Sequence, residues 1–216
     1  MPEEKCYKCF RPKKTCYCKY IVPVETGIKF VFLMHPKEAY HQKTGTGRLA
    51  ALSLPGSEII IGIDFTQNKR VKEILENPDY FSVLMYPDEK AWTAEKPGFH
   101  EAIGNKTLVI FLVDATWFFA KKMLRLSPNL HTIPKFSFQA GYRSQYEFKT
   151  QPAPECLSTI ETCYYVIKEL QKEGISKAGD TEPLLNVFHK MIDYQLESEK
   201  LREKSGIPNR YIREKS

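Results

Sequence analysis

Residues 107–117 read Thr-Leu-Val-Ile-Phe-Leu-Val-Asp-Ala-Thr-Trp. Leu108 to Val113 are six apolar residues in succession, rich in β-branched and aromatic side chains. A run of that length and composition predicts a strand buried on both faces, as parallel sheets require. The run stops at Asp114, and helical periodicity begins at once over 117–126. In open α/β sheets, ligands bind in the crevice beyond the carboxyl ends of such strands, so Asp114 is well placed for chemistry. The competing reading makes Asp114 the N-cap of the next helix, with Trp117 as a core anchor.

Working outward, buried-strand patterns recur at 28–34, 58–63 and 81–86, and helical patterns at 48–54, 67–76, 157–172 and 182–204. Strands alternating with helices predict an α/β fold with a mostly parallel sheet. Ser158 followed by Glu161 has the spacing of a capping box at the start of the 157–172 helix. Residues 88–106 lack periodicity and are expected as a long surface loop with room for an extra element. Residues 128–156 read as loop, punctuated by Pro128, Pro134, Pro152 and Pro154. Cys156 and Cys163 read as small buried hydrophobes rather than ligands.

The first twenty residues are of another kind. Cys6, Cys9, Cys16 and Cys18 follow the pattern C-x2-C-x6-C-x-C. Two close thiol pairs joined by a short loop suit one tetrahedral Zn²⁺ with no open position, a structural site. So short a segment builds no core of its own, so the metal would supply its folding energy. Disulfide pairing is the alternative; reduced cytosolic thiols favour the metal. Lys5, Lys8, Arg11, Lys13, Lys14 and Lys19 interleave with Tyr7, Phe10, Tyr17 and Tyr20. That mixture suits RNA through phosphate contact and stacking, or equally a solvated surface whose aromatics pack on the rest of the chain. The expected division is a knuckle at 1–22 and a catalytic domain at 23–216.

Composition sets the outer bounds. With 42% hydrophobic residues the 216-residue chain can bury a core, and 32 Lys and Arg against 26 Asp and Glu give a net charge of +6. That balance suits a polyanionic partner. There is no apolar run long enough to span a membrane and no hydrophobic leader at the N-terminus, so a cytoplasmic protein is expected. Two polar features at strand ends stand out. His35 either binds a substrate phosphate or caps and packs. The loop 44–47, Thr-Gly-Thr-Gly, lacks the ending of a P-loop but can bring backbone N–H groups to an anion. Arg143 is a candidate clamp for a carboxylate or phosphate.

Taken in order, the motifs are Cys6-x2-Cys9-x-Arg11-Pro12, Cys16-x-Cys18, His35-Pro36-x-Glu38 and Thr46-Gly47-Arg48-Leu49. Tyr86-Pro87, Asp114-Ala-Thr116-Trp117, Tyr142-Arg143-Ser144 and Leu157-Ser158-Thr159-x-Glu161 follow. This series resembles the DTW-domain family, the tRNA-uridine aminocarboxypropyltransferases, from about Cys6 to Leu170. The D-x-T-W motif stands intact at 114–117. The loop 44–47 departs from the family pattern at Gly45, and 88–106 matches no part of it.

The resemblance implies an enzyme that moves the 3-amino-3-carboxypropyl group of S-adenosylmethionine to N3 of a tRNA uridine and releases methylthioadenosine. It implies a SPOUT-like sheet with a C-terminal knot, a departure from the usual absence of knots, in which helix 157–172 takes part. The cofactor pocket would comprise Leu84, Tyr86, Pro87, Asp114, Thr116, Trp117, Leu157, Ser158, Thr159 and Glu161. Asp114 would act as general base on uridine N3 or bind the cofactor's α-amino group. Arg143, His35, Arg48 and Arg11 would contact substrate, with tRNA as partner, the knuckle's cations gripping its backbone, and no obligatory protein partner. Competing readings are a ribosomal-RNA aminocarboxypropyltransferase, a knotted RNA methyltransferase, and a zinc-knuckle RNA-binding protein without catalysis.

Overall fold

The computed structural model describes residues 4–42, 44–138, 141–146 and 156–208. Five strands, β1 (Lys29–Met34), β2 (Glu58–Ile61), β3 (Tyr80–Met85), β4 (Thr107–Asp114) and β5 (Lys135–Phe136), form one sheet in the order β2-β1-β4-β3-β5. Every pairing is parallel. The apolar run of residues 107–117 thus lies at the centre of the sheet, with Val31 of β1 and Leu84 of β3 on either side of Phe111.

Alternation along these strands divides the core. Phe30, Phe32, Val83, Ile110 and Leu112 face one side. They meet α2 (Gly47–Ser53), α4 (Phe99–Ile103), α6 (Thr159–Lys172) and α7 (Glu182–Lys204). Val31, Leu33, Leu84, Val109 and Phe111 face the other side, against α3 (Lys69–Leu75) and α5 (Trp117–Leu126). Side chains of a strand point alternately to the two faces, so a strand covered by helices on both must be apolar throughout. That is why β4 reads as an unbroken apolar run.

Three elements escape the sequence pattern. A short helix, α1 (Pro36–His41), follows β1 directly. Residues 88–106 are not merely a loop: they carry α4, flanked by Gly98 and Gly104 at positive φ of 87° and 56°. Its Phe99 is fully buried against Trp92, Phe136 and Phe81. Five residues are too few to display a 3.6-residue period. The loop-rich stretch 128–156 contributes β5, which extends the sheet beyond β3 by two residues.

The N-terminal knuckle packs against the body. Tyr17 is buried, with its ring edge-on to Tyr194 of α7. The Arg11 guanidinium lies 4.5 Å over the Tyr17 ring and donates to the Met191 sulfur at 3.5 Å. The C-terminal knot that the resemblance implies would turn on the path between β5 and α6, of which residues 139–140 and 147–155 lie outside the described residues. Among the described residues, no helix is long and apolar enough to cross a membrane.

Candidate active site

β1 and β4 are neighbours, but the chain leaves them toward opposite faces of the sheet. β1 continues through α1 into α2 on one face, and β4 continues into α5 on the other. The divergence opens a crevice beyond the two carboxyl ends, where ligands bind in open α/β sheets. Asp114 is the last residue of β4, opposite Met34 of β1, and its carbonyl accepts a hydrogen bond from the His35 N–H at 3.0 Å.

Asp114 is not the cap of α5. Thr116 occupies the N-cap position, which leaves the Asp114 side chain to the crevice. Nor is Trp117 a core anchor: it is 42% exposed, with its indole parallel to the Tyr86 ring and the centroids 6.2 Å apart. The strand-end position, rather than helix capping, decides the role of this motif.

Side chains remote in sequence hold Asp114. The Thr159 hydroxyl donates to Oδ1 at 2.5 Å, and the Thr159 N–H donates to Thr46 Oγ1 at 3.1 Å. Gly47, the first residue of α2, lies directly against the carboxylate. A Cβ there would sit 2.8 Å from Oδ1 and closer still to Oδ2. The requirement for glycine is steric, since only a residue without Cβ lets the backbone come this close. The next residue, Arg48, is partly desolvated, which lowers its pKa, and the negative charge of Asp114 counters that shift.

A cavity of about 290 Å³ opens beside Asp114. Thr116, Trp117, Leu157, Ser158 and Thr159, all expected from the resemblance, line it together with Asp114. Glu38, Gln42, Tyr146 and Cys156 also line it and were not among the expected pocket residues. Glu38 had the strand-end position of His35 as a signal; Tyr146 and Cys156 had none. Cys156 is half-buried at the cavity, whereas Cys163 is a buried hydrophobe as expected. Tyr146 is buried and donates from its hydroxyl to the Thr44 carbonyl at 2.6 Å, so it closes one wall against the 44–47 loop.

The remaining expected residues stand back from the cavity. Leu84 is fully buried in the core, Tyr86 reaches the site through its stack on Trp117, and Pro87 is exposed beyond β3. Glu161 is fully buried and forms the capping box of α6. Its carboxylate accepts from the Ser158 N–H at 2.9 Å, the Ser144 hydroxyl at 2.8 Å and the Gln145 N–H at 2.6 Å. A buried carboxylate satisfied in this way fixes the 142–146 loop to α6. His35 caps α1, its Nδ1 accepting from the Lys37 N–H at 3.1 Å, and stacks on Phe119 with centroids 4.3 Å apart. Burial, and next the charges of Lys37 and Lys122, press its pKa down. Arg143 is exposed on the loop and makes no ion pair among the described residues.

The four knuckle sulfurs converge. All lie within 4.8 Å of one another, with 3.9 Å between Cys6 and Cys18 and 3.6 Å between Cys9 and Cys16. A tetrahedral zinc about 2.3 Å from each sulfur sets edges of about 3.8 Å, so the donor set fits that ion. Backbone N–H groups of Cys9 and Lys8 bring the Cys6 thiol down to about 6, whereas desolvation raises Cys9 and Cys18. Phe10, at a positive φ of 58°, projects from the knuckle and carries the Arg48 guanidinium 4.4 Å over its ring. Arg48 also donates to the Ala39 carbonyl at 3.4 Å. It therefore stands between the cysteine cluster and Asp114. Arg11 is committed to Tyr17 and Met191.

Known proteins are similar to this chain over most of its length. A Drosophila melanogaster protein named tRNA-uridine aminocarboxypropyltransferase 2 is 31% identical over 201 residues, covering 90% of this chain and 76% of its own. Proteins of the same name from Mus musculus and Macaca fascicularis are 26% and 24% identical, each covering 89% of this chain; the chain spans 64% of their length. No solved structure matches. Residues 3–196 match the DTW domain, the region that holds the cysteine cluster, the Asp114 cavity and the N-terminus of α6, and the chain belongs to the DTW-domain family.

Proposed function

We propose that this protein transfers the 3-amino-3-carboxypropyl group of S-adenosylmethionine to N3 of a tRNA uridine. The observation that carries this reading is the Asp114 cavity at the divergence of β1 and β4, walled by the N-terminus of α6 and by Trp117. The relatives named tRNA-uridine aminocarboxypropyltransferase supply the reaction class and the substrate. The cavity, at about 290 Å³, is near the lower end of small-molecule sites, which run from roughly 300 to 1,000 Å³.

The donor contributes a sulfonium whose bond to the transferred carbon breaks as the N3–carbon bond forms, the electron pair leaving with methylthioadenosine. The protein's task is orientation, because a sulfonium activates three carbons and geometry chooses among them. Among the described residues, Asp114 and Glu38 are the carboxylates on the cavity wall, and they suit the positive charges of such a donor. Asp114 is held in place by the Thr159 hydroxyl, which suits a fixed anchor for the donor's charge. The anchoring role is therefore preferred to the general-base role. Trp117, backed by Tyr86, offers a flat face for a nucleobase. The N3 proton leaves as the new bond forms, and water at the open side of the cavity accepts it. Cys6, Cys9, Cys16 and Cys18 would hold a structural zinc. The knotted path of a SPOUT-like domain belongs to this reading as well.

The test is nucleoside mass spectrometry on unmodified tRNA incubated with the protein and S-adenosylmethionine. An aminocarboxypropyl-uridine, formed in step with methylthioadenosine, is the expected result. A methylated nucleoside with S-adenosylhomocysteine would overturn the reading in favour of a methyltransferase. Product on ribosomal RNA alone would replace the substrate.

A further inference from the structure

α5 begins with three aromatic residues in a row, Trp117, Phe118 and Phe119. Successive helical positions lie about 100° apart, so one buried face cannot absorb all three. Phe119 turns inward, stacks on His35 and carries the Lys37 ammonium 4.7 Å over its ring. Phe118 remains 73% exposed and Trp117 42% exposed, while Tyr40 of the adjoining α1 is 70% exposed. Core packing does not account for Phe118 or Tyr40. Both helices border the cavity, which Glu38 of α1 and Trp117 of α5 help to line.

The charges around these rings have one sign. Lys37, Lys121 and Lys122 are exposed, Lys121 with its ammonium 5.4 Å from the Trp117 ring. α5 contains no acidic residue, and the single acid of α1, Glu38, is a cavity-wall residue. Exposed rings interleaved with lysines suit stacking of bases and contact with phosphates, and the absence of acids there opposes a basic partner.

We propose that α1 and the first turns of α5 form a docking surface for unpaired RNA nucleotides that flank the acceptor uridine. The inference rests on the transferase reading and adds a property of the substrate: its strand must be open at this point. Stacking on Tyr40 or Phe118 requires a base with a free face. Alkylation at N3 requires the same, because N3–H is the hydrogen that a paired uridine gives to its partner.

Binding of an unmodified tRNA transcript to Phe118→Ala and to the Lys121→Ala/Lys122→Ala double variant tests this, with melting temperature as the check on folding. Phe118→Ala should weaken binding by about tenfold, the loss of one stacked base. The double variant should reduce the slope of log affinity against log salt by about 1.4, two single-strand phosphate contacts. Neither should alter affinity for S-adenosylmethionine alone, and Phe118→Ala should leave affinity for a fully paired RNA stem unchanged. Folded variants that bind the transcript within twofold of wild type, with an unchanged salt slope, would overturn the proposal. If wild type forms the aminocarboxypropyl product and the variants bind unaltered, the surface is wrong and the reaction stands. If the variants lose binding and wild type transfers nothing, the surface stands and the reaction falls.

Discussion

Gly47→Ala adds one methyl group where the structure has none to spare. The new Cβ would lie 2.8 Å from Asp114 Oδ1 and closer to Oδ2, so the carboxylate must retreat by about 1 Å to reach ordinary contact. Asp114 cannot simply swing away, because Thr159 holds Oδ1 and the side chain is 6% exposed. Alanine favours the helix that Gly47 opens by about 0.5–1 kcal/mol, whereas overpacking costs about 1–3 kcal/mol. The net loss of stability should therefore be modest, about 0–2.5 kcal/mol, and the variant should fold. A displacement of 1 Å at the reacting centre is worth about 100-fold in rate. The assay is the single-turnover rate of aminocarboxypropyl transfer, with urea unfolding and tRNA affinity alongside. If the substitution acts through Asp114, adding it to Asp114→Ala should cost nothing further, the signature of two residues in one interaction. A folded Gly47→Ala variant that transfers at the wild-type rate, or losses that multiply in the double variant, would refute the placement of Asp114 at the reaction.

Asp114→Asn keeps the shape of the side chain and removes its charge. Transfer should fall by about 100-fold or more while tRNA binding survives, and undiminished transfer would remove Asp114 from the machinery. Metal analysis should find about one zinc per chain. Cys9→Ser should release it and lower the melting temperature, since Tyr17 and Arg11 then lose the frame that docks them on α7. Glu58 is held at about 2, first by its hydrogen bonds to Arg70, with Lys29 adding to the effect. Because the folded value is depressed, its contribution is complete above the ordinary carboxylate range and is lost as pH falls from about 5 through about 2. Glu58→Gln should cost about 1–2 kcal/mol at pH 7 after discounting for solvent screening, and about half of that or less at pH 3, by urea unfolding at the two pH values. An equal cost at both would contradict the ion-pair account.

Local signals announced the parts. Leu108–Val113 identified a doubly covered strand because its length and composition are themselves the physical requirement for burial between two helical layers. The cysteine spacing identified a knuckle because ligand geometry is set over a dozen residues, and the helix limits of α5 and α7 followed from continuous periodicity. α4 and β5 did not show, being too short for either period, and Tyr146 and Cys156 fell in a stretch whose proline content reads only as loop.

By itself, then, the sequence determined the α/β class, the cysteine cluster and the position of an acid at the end of the central strand. Only the tertiary structure decided what that acid meets. Thr159 and Asp114 are 45 residues apart, and Thr159 and Thr46 are 113 apart. Their contacts exist because β1 and β4 lie side by side while α2 and α6 pack on one face. Arg48 likewise meets Phe10 only because the knuckle folds back over α2. Periodicity reports which face of a segment is buried; the order of strands, which sets the neighbours of Asp114, comes from packing those faces together.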